Sequence, residues 1–204
     1  MLLADGISRF SMRRIAERIE YTPTTIYLYF KDKADLLFHL CEEVYGEVLE
    51  ILESAEKRGC DPLERLRAGM RAYIDFGLAK PERYRIAFMS NITSNVDPTS
   101  FLKKGSKAYT ACEILHRMVG ETMEGKAIAE EDKKAAAQAL WASGHGVVTL
   151  LIDYPDFPWV DRERLIETGI ELMIDGIRAY KEDGAENVPR CPLTQKRQQH
   201  QHAP

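Results

Sequence analysis

The chain has 204 residues, of which 45% are hydrophobic, and its formal net charge is −4. No run approaches the ~20 consecutive apolar residues that a membrane-spanning helix needs. Residues 1–10 lack the basic start and the long apolar stretch of a signal peptide. We therefore expect a cytoplasmic protein without a membrane partner, long enough for a small domain and a larger second one.

The four cysteines, Cys41, Cys60, Cys112 and Cys191, are scattered and form no CxxC pair. This spacing is typical of neither a zinc ribbon nor a disulfide framework, so we expect reduced thiols. Cys112 and His116 lie four residues apart, but two ligands without a third and fourth do not make a metal site. The sequence therefore predicts no metal and no cofactor.

Catalytic motifs are absent from the sequence, which has no GxGxxG, no P-loop and no Ser/His/Asp pattern. The many Glu/Asp pairs fall on the solvated faces of predicted helices. We therefore expect that the protein is not an enzyme.

Helical patterns dominate the chain, whereas Asn-Gly or Asp-Gly hairpin turns are missing, which predicts an all-α fold. Candidate N-caps are Ser11, Thr22, Asp61 and Asp161, and proline follows the cap at 23 and 62. The predicted helices cover about 12–19, 23–30, 34–57, 62–80, 82–90, 98–124 (bent near Gly105), 130–153 and 162–181. The polar segment 184–204 is predicted to be a disordered tail.

Charge is divided unevenly along the chain. Residues 1–33 hold six basic and four acidic residues, a net charge of +2, so the remainder carries −6. A phosphate backbone would attract the first segment and repel the rest, which favours a nucleic-acid partner for the N-terminal part.

Two short helices joined by a tight turn at 20–22 are typical of a helix-turn-helix. In the second of them, Ile26 and Phe30 lie four residues apart and are expected to face inward. The other residues of this helix must then occupy its outer surface, namely Thr24, Thr25, Tyr27, Leu28 and Tyr29. Bulky exposed side chains are costly unless they meet a partner, and threonine methyls and tyrosine hydroxyls suit bases and phosphates.

The segment from Ser11 to Leu37 closely resembles the signature of TetR-family repressors. It reads SMRRIAERI, then YTPTTIYLYFKDKADLL from Tyr21 onward. The resemblance implies a three-helix DNA-binding domain at 1–38, with its recognition helix over 23–30, and double-stranded operator DNA as partner. The DNA-binding residues that we infer are Ser11, Arg14, Thr22, Thr24, Thr25, Tyr27, Leu28, Tyr29 and Lys33.

This chain departs from the family pattern at two places. Glu20 stands at a turn where many members have glycine, so we expect either backbone strain or a right-handed alternative there. The family's first helix begins well upstream, and only its end, residues 2–6, has a counterpart here. We therefore expect a truncated first helix and a less stable head.

The body, predicted to span 39–183, resembles one TetR C-terminal subgroup at residues 140–150, which carry a Trp…His-Gly motif. The resemblance implies a homodimer with a small-molecule pocket in each subunit. Glycines at helix-interior positions cost about 1 kcal/mol each, so those on one face indicate a close helix neighbour. The dimer-interface candidates are Ala142, Gly146, Leu165, Gly169, Leu172, Met173, Gly176 and Tyr180. The alternative is that these glycines pack only within one chain.

Aromatic residues concentrate in the body. The candidates for its pocket are Tyr73, Phe76, Tyr84, Phe88, Tyr109, Trp141 and His145. Each of them also fits an ordinary hydrophobic core, and His145 could equally bond a buried carbonyl.

The sequence thus predicts a ligand-responsive, DNA-binding transcriptional regulator, a repressor released from its operator by a small-molecule effector. The alternative is an interaction or ligand-binding protein whose truncated head no longer binds DNA.

Overall fold

The computed structural model describes residues 11–59, 61–89, 101 and 103–180. No strand occurs in these ranges, which confirms the all-α prediction. The helices are α1 (Met12–Arg18), α2 (Pro23–Tyr27), α3 (Lys33–Glu56), α4 (Pro62–Ala79), α5 (Pro81–Tyr84), α6 (Lys107–Thr122), α7 (Glu130–Asp153) and α8 (Arg162–Arg178), with a π-helical turn at Arg85–Met89 after α5. The predicted first helix and the predicted tail lie outside the described residues.

The head consists of α1, α2 and the start of α3. The Ser11 hydroxyl accepts a hydrogen bond from the Arg14 amide at 3.2 Å, and the Thr22 hydroxyl accepts one from the Thr25 amide at 3.2 Å. Both caps satisfy amides that the first helical turn leaves unpaired. The buried core of the head is small and consists of Met12, Ala16, Ile26 and Leu36.

Helix α3 is continuous from the head into the body. Its first turn is capped by Asp32, whose carboxylate accepts from the Asp35 amide at 2.9 Å. Leu36 belongs to the head core, whereas Leu37 and Cys41 form a second cluster with Phe101 and Ala108. The predicted domain boundary at residue 38 therefore falls within one rigid helix, which couples the two parts mechanically.

The body core lies between α3, α4, α6, α7 and α8. Two glycines permit close packing at its centre. A Cβ atom on Gly77 would lie 2.5 Å from Val148 Cγ1, and a Cβ on Gly144 would collide with Met70 Cε. Larger side chains at these positions would push α7 away from α4 and Tyr84.

Helix α8 is fixed to α4 by ion pairs along one edge. Arg67 bonds Glu171 at 2.7 Å, and Arg71 bonds Glu163. These pairs are partly exposed, so each contributes little to stability, but they set which face of α8 turns away from its own chain.

Three predicted helices need correction. The recognition helix predicted over 23–30 ends at Tyr27, because the amides of Leu28 and Tyr29 bond the carbonyls three residues back, as in a turn. The helix predicted for 82–90 is a single α-turn followed by a π-helical turn, because the backbone widens at Arg85–Met89. The helix predicted over 98–124 is interrupted at 103–106, and α6 begins at Lys107, whereas the predicted start near 98 lies outside the described residues. Gly105 has φ +101°, which breaks the helix, and the buried Ser106 then caps α6 by accepting from the Tyr109 amide at 3.1 Å.

Glu20 adopts the left-handed conformation, with φ 60°, in the turn between α1 and α2. This is the strained option of the two that the sequence left open. An L-residue there costs about 1–2 kcal/mol, whereas glycine adopts it without steric penalty.

We expect Glu20→Gly to raise the free energy of unfolding by about 1 kcal/mol, because it removes this strain. Thermal and urea unfolding measure the change, which corresponds to a Tm increase of about 2–4 °C. Glu20→Ala is the matched control, since alanine retains a Cβ and should bring no gain. Equal stabilisation by both variants would show that the carboxylate, and not the backbone, is unfavourable.

Candidate nucleic-acid interface and body site

The second helix of the head presents large side chains to solvent. Tyr27, Leu28 and Tyr29 are 54%, 78% and 76% exposed, whereas Ile26 is buried. Thr24 is also exposed, and the Thr22 and Thr25 hydroxyls lie 2.9 Å apart. Three exposed hydrophobic or aromatic side chains in a row, at the end of α2 and in the turn after it, are unusual for a surface without a partner.

The remaining predicted DNA-binding residues lie around this helix. Ser11 and Thr22 use their hydroxyls as the N-caps of α1 and α2. Arg14 is exposed in the first turn of α1, and Lys33 is the half-buried first residue of α3. Cationic and hydroxyl side chains suit phosphate contacts, and the role of these residues in DNA binding stays a prediction.

Thr25 and Tyr29 have a second environment. They line an apolar groove of about 350 Å³ in the head, together with Ile19, Tyr21 and Phe30 among other residues. Tyr21 is 60% exposed and was missing from the predicted site. Its place directly before the Thr22 cap could have indicated its exposure, because residues that precede an N-cap lie outside the helix.

In the body, α7 and α8 together form an open apolar groove of about 440 Å³. Among its lining residues are Ser143, Val147, Gly169, Gly176 and Tyr180. Leu172, on the same groove, is 70% exposed. This is the small-residue face of the body.

The glycines of this face differ in what surrounds them. A Cβ on Gly169 would lie 3.6 Å from Val147 Cγ2, an ordinary contact within the chain. At Gly146 and Gly176 a Cβ would meet no described atom within 4 Å. Packing inside one chain therefore does not account for glycine at these two positions.

The other dimer candidates divide between core and surface. Ala142 is exposed, whereas Leu165 and Met173 are half-buried against the body core. Leu150, which is 47% exposed on α7, was not predicted although it lies four residues after Gly146. Its helical spacing was the signal that could have identified it.

Five of the seven pocket candidates converge in one aromatic cluster, formed by Tyr73, Tyr84, Phe88, Trp141 and His145. The Tyr84 ring lies 4.7 Å from Phe88 and 5.6 Å from His145, and the Trp141 ring lies 6.1 Å from His145. Phe88 belongs to the π-helical turn, a type of bulge that is common at functional sites.

A chain of hydrogen bonds crosses this cluster. Trp141 Nε1 donates to the Tyr73 hydroxyl at 3.2 Å, and the Tyr73 and Tyr84 hydroxyls lie 2.8 Å apart. The Tyr84 hydroxyl lies 2.6 Å from His145 Nδ1. Tryptophan can only donate, so every hydroxyl proton finds an acceptor when Tyr73 donates to Tyr84 and Tyr84 donates to Nδ1. This arrangement requires neutral His145 with its proton on Nε2.

Burial shifts the pKa values of the cluster in a consistent direction. The pKa of Tyr73 is raised to about 12, mainly because burial disfavours the phenolate, and burial also raises the pKa of Tyr84. The pKa of His145 is lowered from its usual value because burial disfavours the imidazolium. All ring groups of the cluster are therefore neutral at physiological pH.

Phe76 and Tyr109 do not join the cluster. Phe76 lines a groove between α3 and α4, with Lys80 Nζ 5.6 Å from its ring centre. The Tyr109 hydroxyl bonds Glu113 on α6. Tyr45, which the sequence analysis missed, lies 5.2 Å from Phe88 and four residues after the buried Cys41, a spacing that indicated an inward face.

Within the described residues, no group of three or more His, Cys, Asp or Glu side chains could hold a metal ion. Burial raises the pKa of the Cys41 thiol to about 11, which keeps it protonated and a poor nucleophile. Cys60 and Cys191 lie outside the described residues.

Two family models match the sequence. That of the bacterial regulatory proteins of the tetR family matches residues 1–40, and that of the tetracyclin repressor-like C-terminal domain matches residues 66–175, more than half of the chain. The chain belongs to the TetR family. It is a transcriptional regulator with a DNA-binding domain, as the resemblance at 11–37 implied.

Solved structures share the TetR-family fold with this chain. A protein of unknown function from Rhodococcus sp. RHA1 is 20% identical with a TM-score of 0.64, and the match covers 86% of this chain and 88% of that one. The TetR family transcriptional regulator PfmR from Thermus thermophilus is 18% identical with a TM-score of 0.64, over 85% and 92% of the two chains. No curated protein matches the sequence. The finer resemblance to a Trp…His-Gly subgroup stays a prediction.

Helix α7 is long and apolar enough to cross a membrane by length and composition alone, and a third of its apolar window is buried in the body. A single such helix is weak evidence for a span. In a TetR-family regulator, an apolar helix exposed on one side is instead typical of an interface between subunits.

Protonation of His145 should destabilise this TetR-family fold. Burial lowers the pKa of His145 in the folded state below that of the unfolded chain, which is about 6.5. The free energy of unfolding is therefore highest above pH 6.5 and falls as the pH drops below it. We expect the loss of Tm between pH 7.5 and pH 5.5 to be about 2 °C smaller in His145→Gln than in the wild type. An unchanged loss in His145→Gln would contradict the buried neutral histidine.

Proposed function

We propose that this chain is a ligand-responsive repressor, which binds operator DNA as a homodimer and is released by a small-molecule effector. DNA binding is supported by one observation, the exposed side chains at the end of α2 and directly after it. Tyr27, Leu28 and Tyr29 are all more than half exposed to solvent. Residues 1–33 also carry a net charge of +2 on an otherwise acidic chain, which favours their approach to a phosphate backbone.

The small-residue face supports the homodimer. Gly146 and Gly176 leave open space where a partner helix could approach closely, and Leu172 and Leu150 beside them are 70% and 47% exposed. Helices α7 and α8 from two subunits would form a four-helix interface about a two-fold axis. Such a dimer presents two recognition helices about 34 Å apart, one turn of duplex DNA.

The aromatic cluster supports the effector site, because it lies where α4, α7 and the π-helical turn meet. From Phe88 a continuous series of ring contacts leads along α3 to the head, with centroids 5.2 to 5.9 Å apart, through Phe88, Tyr45, Phe101, Phe38, His39 and Phe30. A ligand that displaces Phe88 would therefore shift packing against α3, the helix that holds the head.

We expect Tyr27→Ala to weaken binding to the DNA upstream of the protein's own gene by about tenfold, an effect in the range of about 1–3 kcal/mol for a direct contact. Because Tyr27 is 54% exposed, its loss should leave the Tm nearly unchanged. Gel shift over a series of salt concentrations measures affinity, which should fall steeply with salt.

Tyr154→Ala is the matched control for this experiment, since Tyr154 is 58% exposed in the turn after α7. It should bind DNA as the wild type does. If the wild-type protein binds no genomic duplex at low salt, the alternative is favoured, an interaction or ligand-binding protein whose head no longer binds DNA.

Gly176→Leu should convert the protein to a monomer, because the leucine fills the space reserved for the partner subunit. Sedimentation velocity should show half the mass, and DNA affinity should fall at least about 100-fold when the paired half-site contacts are lost. Gly59→Leu is the matched control, since Gly59 has equally open surroundings outside this face. An unchanged sedimentation profile for Gly176→Leu would place the interface elsewhere.

A further inference from the structure

The aromatic cluster is closed at its floor and open at one side. Tyr73 and Tyr84 are 4% and 0% exposed and form the floor. Trp141 is 42% exposed although it is hydrogen-bonded, and His145, one helical turn later on α7, is half-buried. The open side of the cluster is therefore the Trp141–His145 edge.

In the tautomer assigned above, the cluster keeps one hydrogen-bond donor that bonds no described group. With Nδ1 accepting from the Tyr84 hydroxyl, the proton of neutral His145 lies on Nε2. In the part of the chain that the structure describes, Nε2 makes no hydrogen bond. The Trp141 N–H, by contrast, is directed inward to the Tyr73 hydroxyl. The ligand is thus offered an N–H from His145 and an indole ring surface from Trp141.

Among the described residues, the polar side-chain atoms of Tyr73, Tyr84, Trp141 and His145 bond only one another, and none of them bonds a charged side chain. Burial is the first cause of the shifts in the pKa values of His145, Tyr73 and Tyr84, and no charged side chain is among the causes. The nearby Arg85 is already engaged by the Asp153 carboxylate at 3.0 Å and the Ile152 carbonyl at 3.1 Å. A charged ligand placed at this edge would be desolvated without a counter-charge.

We infer that the effector of the proposed repressor is an uncharged planar ring compound with a carbonyl or similar acceptor, which stacks on Trp141 and accepts the His145 Nε2–H. This inference rests on the proposed function for its regulatory meaning, but not for the binding itself. Flat rings gain from stacking on indole, and one acceptor satisfies the one outward donor. A carboxylate of the same shape gains the same hydrogen bond but has no cation to offset its burial.

Trp141 supplies its own signal for testing this inference. The chain has two tryptophans, and Trp159 lies in the α7–α8 turn, where its Nε1 donates to the Tyr154 carbonyl. In a Trp159→Phe background, all tryptophan fluorescence comes from Trp141. Titration with 2-acetylnaphthalene, naphthalene and 2-naphthoate compares a neutral acceptor, a neutral ring without acceptor and an anion on one scaffold.

We expect 2-acetylnaphthalene to quench Trp141 at the lowest concentration. Naphthalene should bind about tenfold more weakly, because it lacks the hydrogen bond, and 2-naphthoate weaker still. His145→Phe keeps a ring at the edge and removes the donor, so it should abolish the tenfold preference for the ketone over naphthalene. His116→Phe, outside the cluster, should preserve that preference.

Several outcomes would overturn the inference. These are tighter binding of 2-naphthoate than of the ketone, a preference for the ketone that survives in His145→Phe, or no quenching by the ketone up to its solubility limit. A Trp141 emission that depends on protein concentration and resists all three probes would show that a second copy covers the edge, which also overturns it. Gel shifts on the same samples test DNA binding separately, so failure of the ligand class and failure of the regulator are distinguished.

Discussion

The close approach of α7 to α4 is the constraint on which the rest of the structure depends. Gly77 and Gly144 remove the two Cβ atoms that would collide with Val148 and Met70. Across this contact, Tyr73 on α4, Tyr84 on α5 and His145 on α7 form one hydrogen-bonded chain. A buried network of this kind is stabilising only when every member is satisfied.

Helix α7 meets three different environments within a few turns. One side packs into the body core through Leu140, Val148 and Leu151, and an adjacent side carries Trp141 and His145. The third side carries the exposed Ala142 and Gly146, at which a Cβ would meet no described atom within 4 Å. A ligand at the second side would therefore act on a helix that also belongs to the proposed subunit interface, so ligand binding, dimer geometry and the spacing of the heads share one element.

The sequence predicted most of this architecture because its helix starts are chemically explicit. Ser11, Thr22, Asp61 and Asp161 cap the helices where expected, and α7 has the predicted limits. The π-helical turn at Arg85–Met89 was not predictable, since it depends on how Tyr84 and Phe88 pack and not on local propensity. The continuous helix predicted over 98–124 was wrong at 103–106, because Gly105 has a positive φ and the buried Ser106 caps a helix that begins at Lys107.

The two candidate sites also differed in how well the sequence predicted them, because one depends on local helical spacing and the other on tertiary packing. Exposure of Tyr27 and Leu28 follows from helical periodicity once Ile26 is inward, so the head surface was accessible to sequence reasoning. Membership of the aromatic cluster depends on tertiary packing. Phe76 and Tyr109 are aromatic residues of the body like those that converge, and nothing in the sequence separates them from the cluster.

The glycines show most clearly what the sequence leaves open. Gly144 and Gly146 lie two residues apart on α7, yet one is required by atoms of its own chain and the other has none near it. Sequence alone does not separate these causes; the structure does, because it shows which missing Cβ atom its own fold needs and which leaves space for another molecule.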